Sequence, residues 1–212
     1  MKINTNTKAL LTAIVFATSA YYSNNVEAET PTITKEVITF KEYPTLVACY
    51  DYSKKKDNFL PPVKGSCMIG RTMKNVYLPS KSQMLLFKEV YKNRSSMYAP
   101  LALVNGESQF DEKAHSCNKY ACASGIMQVT DANGGRKMTT KQQLQWFADR
   151  KQHQITVGTC SKTAKSWNHN RLLRCVFARH FGTLNFDSQY VNEKMDMYDF
   201  YKKLLEGKEL SF

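Results

Sequence analysis

Six cysteines, Cys49, Cys67, Cys117, Cys122, Cys160 and Cys175, stand behind an apolar N-terminal stretch. An even cysteine count in an exported chain reads as a set of disulfides. Sequence cannot choose among the many pairings that six cysteines allow, although proximity favours Cys49–Cys67, Cys117–Cys122 and Cys160–Cys175. The competing reading is a metal site. It has little support, because no Cys-x-x-Cys spacing occurs and His115, His153, His169 and His180 are scattered. Neither a metal nor an organic cofactor is expected.

The inference of export rests on the first residues. Lys2 and Lys8 supply a positive start, and residues 9–20 are apolar and uncharged. That stretch is shorter than the roughly 20 residues of a membrane span and fits a secretory signal. Val26-Glu27-Ala28 places cleavage after Ala28, with an earlier cut after Ala20 as the alternative. No cysteine lies near either position, so a lipid anchor is not expected. The address is therefore the periplasm or the medium. The organisation read from the chain is 1–28 signal peptide, 29–79 N-terminal extension and 80–212 the main domain. A net charge of +12, from 30 basic and 18 acidic residues, favours polyanionic partners. In an exported protein these are cell-wall polymers or anionic headgroups rather than nucleic acid.

Periodicity gives a mainly helical body. Ser80 can cap a helix carrying Met84, Leu85, Phe87, Val90 and Tyr91 at helical spacing. A second helix is expected from about Tyr98, with Pro100 in its first turn, to Gly106-Glu107. Thr139 and Gln142 form a capping-box pattern ahead of Leu144, Trp146, Phe147 and Ile155. Leu172, Leu173, Val176 and Phe177 mark another helix, and the last runs from about Asp187 to Glu206 with Gly207 as its stop. Residues 29–45 read as an extended arm or strand, and 46–78 as an irregular, disulfide-tied segment that includes the basic run Lys54-Lys55-Lys56.

The stretch that carries chemistry is 102–130. An apolar helix ends on Glu107, and about twenty residues later comes the small-residue turn Ala123-Ser124-Gly125-Ile126-Met127-Gln128. Glycosidic cleavage needs a carboxylic acid that keeps its proton near neutral pH, and apolar neighbours raise a carboxyl pKa. Phe110 and Met127 are candidates for those neighbours, and glycine at 125 would let backbone approach a sugar closely.

Glu107-Ser108-Gln109-Phe110 followed by Gly125-Ile126-Met127-Gln128 resembles the paired motif of the lytic transglycosylase family. The intervening loop is longer than usual and holds Cys117 and Cys122. Weaker likenesses continue at Gln154-Ile155-Thr156-Val157-Gly158, at Ala178-Arg179-His180-Phe181-Gly182 and at Tyr190-Val191. Arg179 and His180 stand where the family has tyrosine and asparagine. The resemblance implies a mainly α, α+β lysozyme-like domain behind an irregular, disulfide-tied N-terminal arm. It implies peptidoglycan glycan strands as substrate, Glu107 as the catalytic acid/base, and Ser108, Met127, Gln128 and His180 as substrate-binding residues. A secretion, conjugation or pilus apparatus fits such an enzyme, and nothing in the sequence sets an oligomeric state. The alternatives are a hydrolase on the same fold, with Asp111 or Glu112 positioning water, and a non-catalytic glycan-binding or assembly protein. The bland readings are a solvated Glu107, Ser108 as a turn cap, Met127 as plain core and His180 as an ordinary helical residue.

Overall fold

A computed structural model describes residues 38–210, apart from 55–57, 68, 69, 94, 95, 157, 159, 161–166 and 209, and apart from the side chains of 154–156. The expected signal peptide and the start of the extension lie outside the described residues, as do Lys55, Lys56 and Val157.

Among the described residues, five α-helices form the body: α1 (Lys81–Val90), α2 (Tyr98–Glu107), α3 (Thr140–Thr156), α4 (His169–Phe181) and α5 (Gln189–Leu205). Their ends are set by the residues that read as caps. The Ser80 hydroxyl accepts from the Gln83 N–H, and the Gln83 side chain accepts from the Ser80 N–H in return, closing a capping box. Thr139 and Gln142 repeat the arrangement before α3. Asn168 and Ser188 cap α4 and α5, so α5 begins after Ser188. Among the described residues, no helix is long and apolar enough to cross a membrane.

Helix α2 is the centre of the fold. Tyr98 through Asn105 are all buried, which is the signature of a helix surrounded on every side. It packs chiefly against α5, which contributes Val191, Met197, Phe200 and Tyr201 to the same core; α5 also meets α4, while α3 bridges α1 and α4. A residue such as Leu101 or Phe87, fully enclosed here, contributes roughly 2 kcal/mol by leaving water.

Among the described residues there are also two three-stranded antiparallel sheets. The first, ordered β2-β1-β3, joins β1 (Thr45–Asp51), β2 (Phe59–Leu60) and β3 (Met73–Leu78). The expected disulfide tie is present as Cys49–Cys67. The segment read as irregular nevertheless carries strands at both flanks. Ala48, Cys49 and Tyr50 are buried in succession, so β1 has no period-two alternation by which it could be seen in sequence. The second sheet, β4 (His115–Cys117), β5 (Cys122–Ser124) and β6 (Val129–Thr130), lies in the longer loop. Cys117 and Cys122 face each other across its hairpin and are bonded, and Cys160–Cys175 anchors the chain before α4. The whole is the mainly α, α+β lysozyme-like class with an added N-terminal sheet.

That sheet is fastened to the central helix by one side chain. The buried amide of Asn105 accepts from the Tyr77 N–H at 2.8 Å and donates to the Asn75 carbonyl at 3.1 Å, continuing the edge of β3 as another strand would. Tyr201 of α5 donates its hydroxyl to the Tyr77 carbonyl, and Phe59 stacks on Phe200 with ring centroids 4.7 Å apart.

Candidate active site

Glu107 is the last residue of α2, at the point where an apolar helix leaves the core, and it is half-buried. The chain then turns sharply. Gln109 and Phe110 both adopt left-handed backbone, with φ of +54° and +67°. For non-glycine residues each such conformation costs about 1 kcal/mol, so the turn must be held by its surroundings. Phe110 holds it by burial, with its ring edge-on to Phe87 and to Tyr201. Gln83 adds a bond to the Phe110 carbonyl at 2.8 Å.

The second motif lies directly over this turn. The Ser108 hydroxyl bonds the carbonyls of Val104 and Ile126, at 3.2 and 2.8 Å, and so ties the end of α2 to the Gly125 turn. Gly125 has φ of +77°, and a Cβ there would lie 2.0 Å from the Gln143 amide nitrogen. Gln143 is buried, accepts from the Met127 N–H and donates to the Gly135 carbonyl. Gln128, also left-handed at φ +47°, donates to the carbonyls of Ala114 and Gly125 and accepts from Ser116. Met127 is fully enclosed. The structure therefore places Ser108, Met127 and Gln128 in a brace that joins the end of α2 to the Gly125 turn. The Ser108 hydroxyl is engaged by backbone, and Met127 shows no surface to a ligand.

On the other side α5 and α4 supply the neighbours. Tyr190 donates its hydroxyl to Glu107 Oε1 at 2.5 Å. Burial, then the Glu107 charge, push the phenol well above the ordinary tyrosine range, so the proton stays on Tyr190 and the hydroxyl is a fixed donor. Phe181 stacks on Tyr190 at 4.3 Å and is 61% exposed, leaving an open aromatic face beside the site. His180 packs edge-on to Phe147. Burial brings its imidazole down to about 4; Glu107 opposes this while Arg150 and Lys194 add to it, so the ring is neutral at physiological pH. Lys194, four residues after Tyr190 on α5, places its amine 4.8 Å from the Tyr190 ring centroid.

Tyr190, Phe181 and Lys194 were not among the expected site residues. A sequence signal existed for Lys194: it is a cation inside the apolar stripe of Val191, Met195 and Tyr198. Asp111 and Glu112 are occupied elsewhere. Asp111 accepts from the Lys113 N–H, and Glu112 accepts from Gln83 and Thr140. His115 bonds Ser124, which donates to Asp131. His115, Cys117 and Cys122 could together form a ligand cluster, but both sulfurs are committed to their disulfide.

The arrangement is one half-buried carboxyl between a braced loop and an aromatic helix face. Residues 84–195, more than half of the chain, match the transglycosylase SLT domain, and the protein belongs to that family. The matched region contains Glu107, the Gly125–Gln128 turn, His180 and Tyr190. Lytic transglycosylase activity on peptidoglycan goes with that domain. No curated protein and no solved structure matches the chain.

Proposed function

We propose that the protein is an exported lytic transglycosylase that cleaves the bond between N-acetylmuramic acid and N-acetylglucosamine and leaves a 1,6-anhydromuramyl end, with Glu107 as acid and then base. The observation that carries this reading is the Glu107 carboxyl itself, half-buried at the end of α2 and held by the Tyr190 hydroxyl. In the first half of the reaction Glu107 gives its proton to the glycosidic oxygen as the bond to the anomeric carbon breaks. In the second half the muramyl 6-hydroxyl closes on that carbon, and its proton returns to Glu107. The carboxyl is regenerated and no water is consumed, so one carboxyl serves both steps.

The commitments of Asp111 and Glu112 support this outcome over hydrolysis, which requires a group free to orient water. His180 and the open face of Phe181 are the parts of this surface suited to holding sugar, by hydrogen bonding and by ring stacking respectively. Ser108, Met127 and Gln128 act on substrate through the shape of the loop they fix. The expected setting is the cell wall outside the cytoplasm, where a secretion, conjugation or pilus apparatus would need a local opening.

The test is to incubate the folded, disulfide-bonded protein and its Glu107→Gln variant with peptidoglycan sacculi and identify the soluble products by mass spectrometry. Anhydromuropeptides from the wild type alone are expected. Reducing-end products would move the enzyme to the hydrolases, and release by Glu107→Gln would remove Glu107 from its role.

A further inference from the structure

We propose that Lys194 is a positioning residue for the reaction at Glu107: its ammonium, seated in the gap left by Gly106, is the fixed counter-charge against which Glu107 gives up and recovers its proton. This inference rests on the reading of Glu107 as acid/base.

Three observations lead to it. The Lys194 side chain is 1% exposed, and a buried ammonium must be balanced by an opposite charge or it destabilises the fold by several kcal/mol. Its neighbour Glu193 is 3.4 Å away, but the other oxygen of Glu193 already takes the Lys74 ammonium of β3 at 2.5 Å. Glu193 therefore divides its charge between Lys74 and Lys194, and Glu107 is the second carboxylate whose field reaches the Lys194 ammonium. Gly106 then explains how the amine reaches this place. A Cβ at position 106 would lie 1.5 Å from Lys194 Nζ, so the ammonium occupies the space of a missing side chain one residue before Glu107. Tyr190 sits under the same ammonium while donating to Glu107, so one cation orients both the donor ring and the carboxyl field.

The titratable groups around Lys194 are Glu193 on its own helix, Lys74 from β3, Glu107 from α2, and the neutral His180 of α4, itself under the influence of Arg150 from α3. Burial presses the Lys194 amine below the ordinary lysine value, and Glu193 and then Glu107 press it back up, with Lys74 opposing them. The strand Lys74 belongs to lies outside the matched domain, so the N-terminal sheet takes part in setting the charge at the site.

The test measures pH–rate profiles on sacculi for the full chain, for Lys194→Met and for Glu193→Gln, with Glu107→Gln as control. Methionine fits the room of the lysine stem without its charge. Removing the cation favours the protonated acid, so Lys194→Met should move the descending limb up by about half a pH unit, with kcat lowered several-fold and KM held. Removing the carboxylate leaves the cation less opposed, so Glu193→Gln should move that limb down by about the same amount. Opposite shifts cannot come from a loosened fold. A folded Lys194→Met with an unshifted profile, or two shifts of the same sign, would overturn the role of Lys194. Should methionine not be accommodated, Lys194→Ala with Gly106→Ala, in which the new methyl group fills the vacated gap, gives the same reading. Activity in Glu107→Gln would instead overturn the acid/base reading itself, so the two failures are distinct.

Discussion

On its loop side Glu107 is backed by neutral groups, whereas on its α5 side it is backed by ionisable ones. The loop side is made of backbone carbonyls, the amides of Gln83, Gln128 and Gln143, the Ser108 hydroxyl and the Phe110 ring. The α5 side is the chain Tyr190, Lys194, Glu193 and Lys74. Neutral hydrogen bonds in a packed turn fix shape and change little with pH. A buried chain of charges fixes potential, and its strength depends on every member keeping its protonation state. The difference teaches that position and proton affinity at this carboxyl are governed separately. Substitutions on the two sides should therefore fail in different ways.

The largest effect is expected on the loop side. Gly125→Ala must relieve a 2.0 Å clash with the buried Gln143 amide and a left-handed backbone together. It should cost about 3 kcal/mol in unfolding free energy, with activity lost in proportion to folded protein. Chemical denaturation with parallel turnover measurements checks this. A smaller effect, of the opposite kind, is expected from Tyr190→Phe. The ring keeps its stacking on Phe181, but Glu107 loses its donor. Turnover should fall about tenfold while the melting temperature hardly moves, and an unchanged kcat would show that the hydroxyl does not matter for the reaction.

The smallest effect concerns His180, the α4 neighbour whose imidazole feels the Glu107 charge. Its folded-state value of about 4 lies below the ordinary histidine value, so the native protein prefers the neutral ring. Stability from this source is complete above about pH 6.5 and declines as pH falls toward 4. At pH 6 the loss should be about 0.7 kcal/mol, and His180→Gln should lose that much less between pH 7 and 6 in thermal melts.

The same division decides what could be read from sequence. The helices were legible because their caps and apolar spacing are local: Ser80 with Gln83, Thr139 with Gln142, and Gly207 after α5. The loop side was legible as a pattern for the same reason, since Glu107-Ser108 and Gly125 to Gln128 are short and contiguous. The work done by each side chain was less visible. Whether the Ser108 hydroxyl points to sugar or to the Ile126 carbonyl depends on how the two segments cross. The charged side was hidden, because Lys74 and Glu193 are 119 positions apart and neither carries a mark of the other. Strand β1 was hidden for a different reason, being buried on both faces.

Asn105 gives the N-terminal sheet a meaning for anyone dividing this chain. What recurs between proteins, residues 84–195, is not what closes on itself here. Trimming to the recurring part removes β3 and the last turns of α5, and so strips an enclosed amide two positions before Glu107 of its partners on Tyr77, Asn75 and Met197. The inherited module borrows a wall from the residues before it, and the smallest piece that can stand alone begins with that wall.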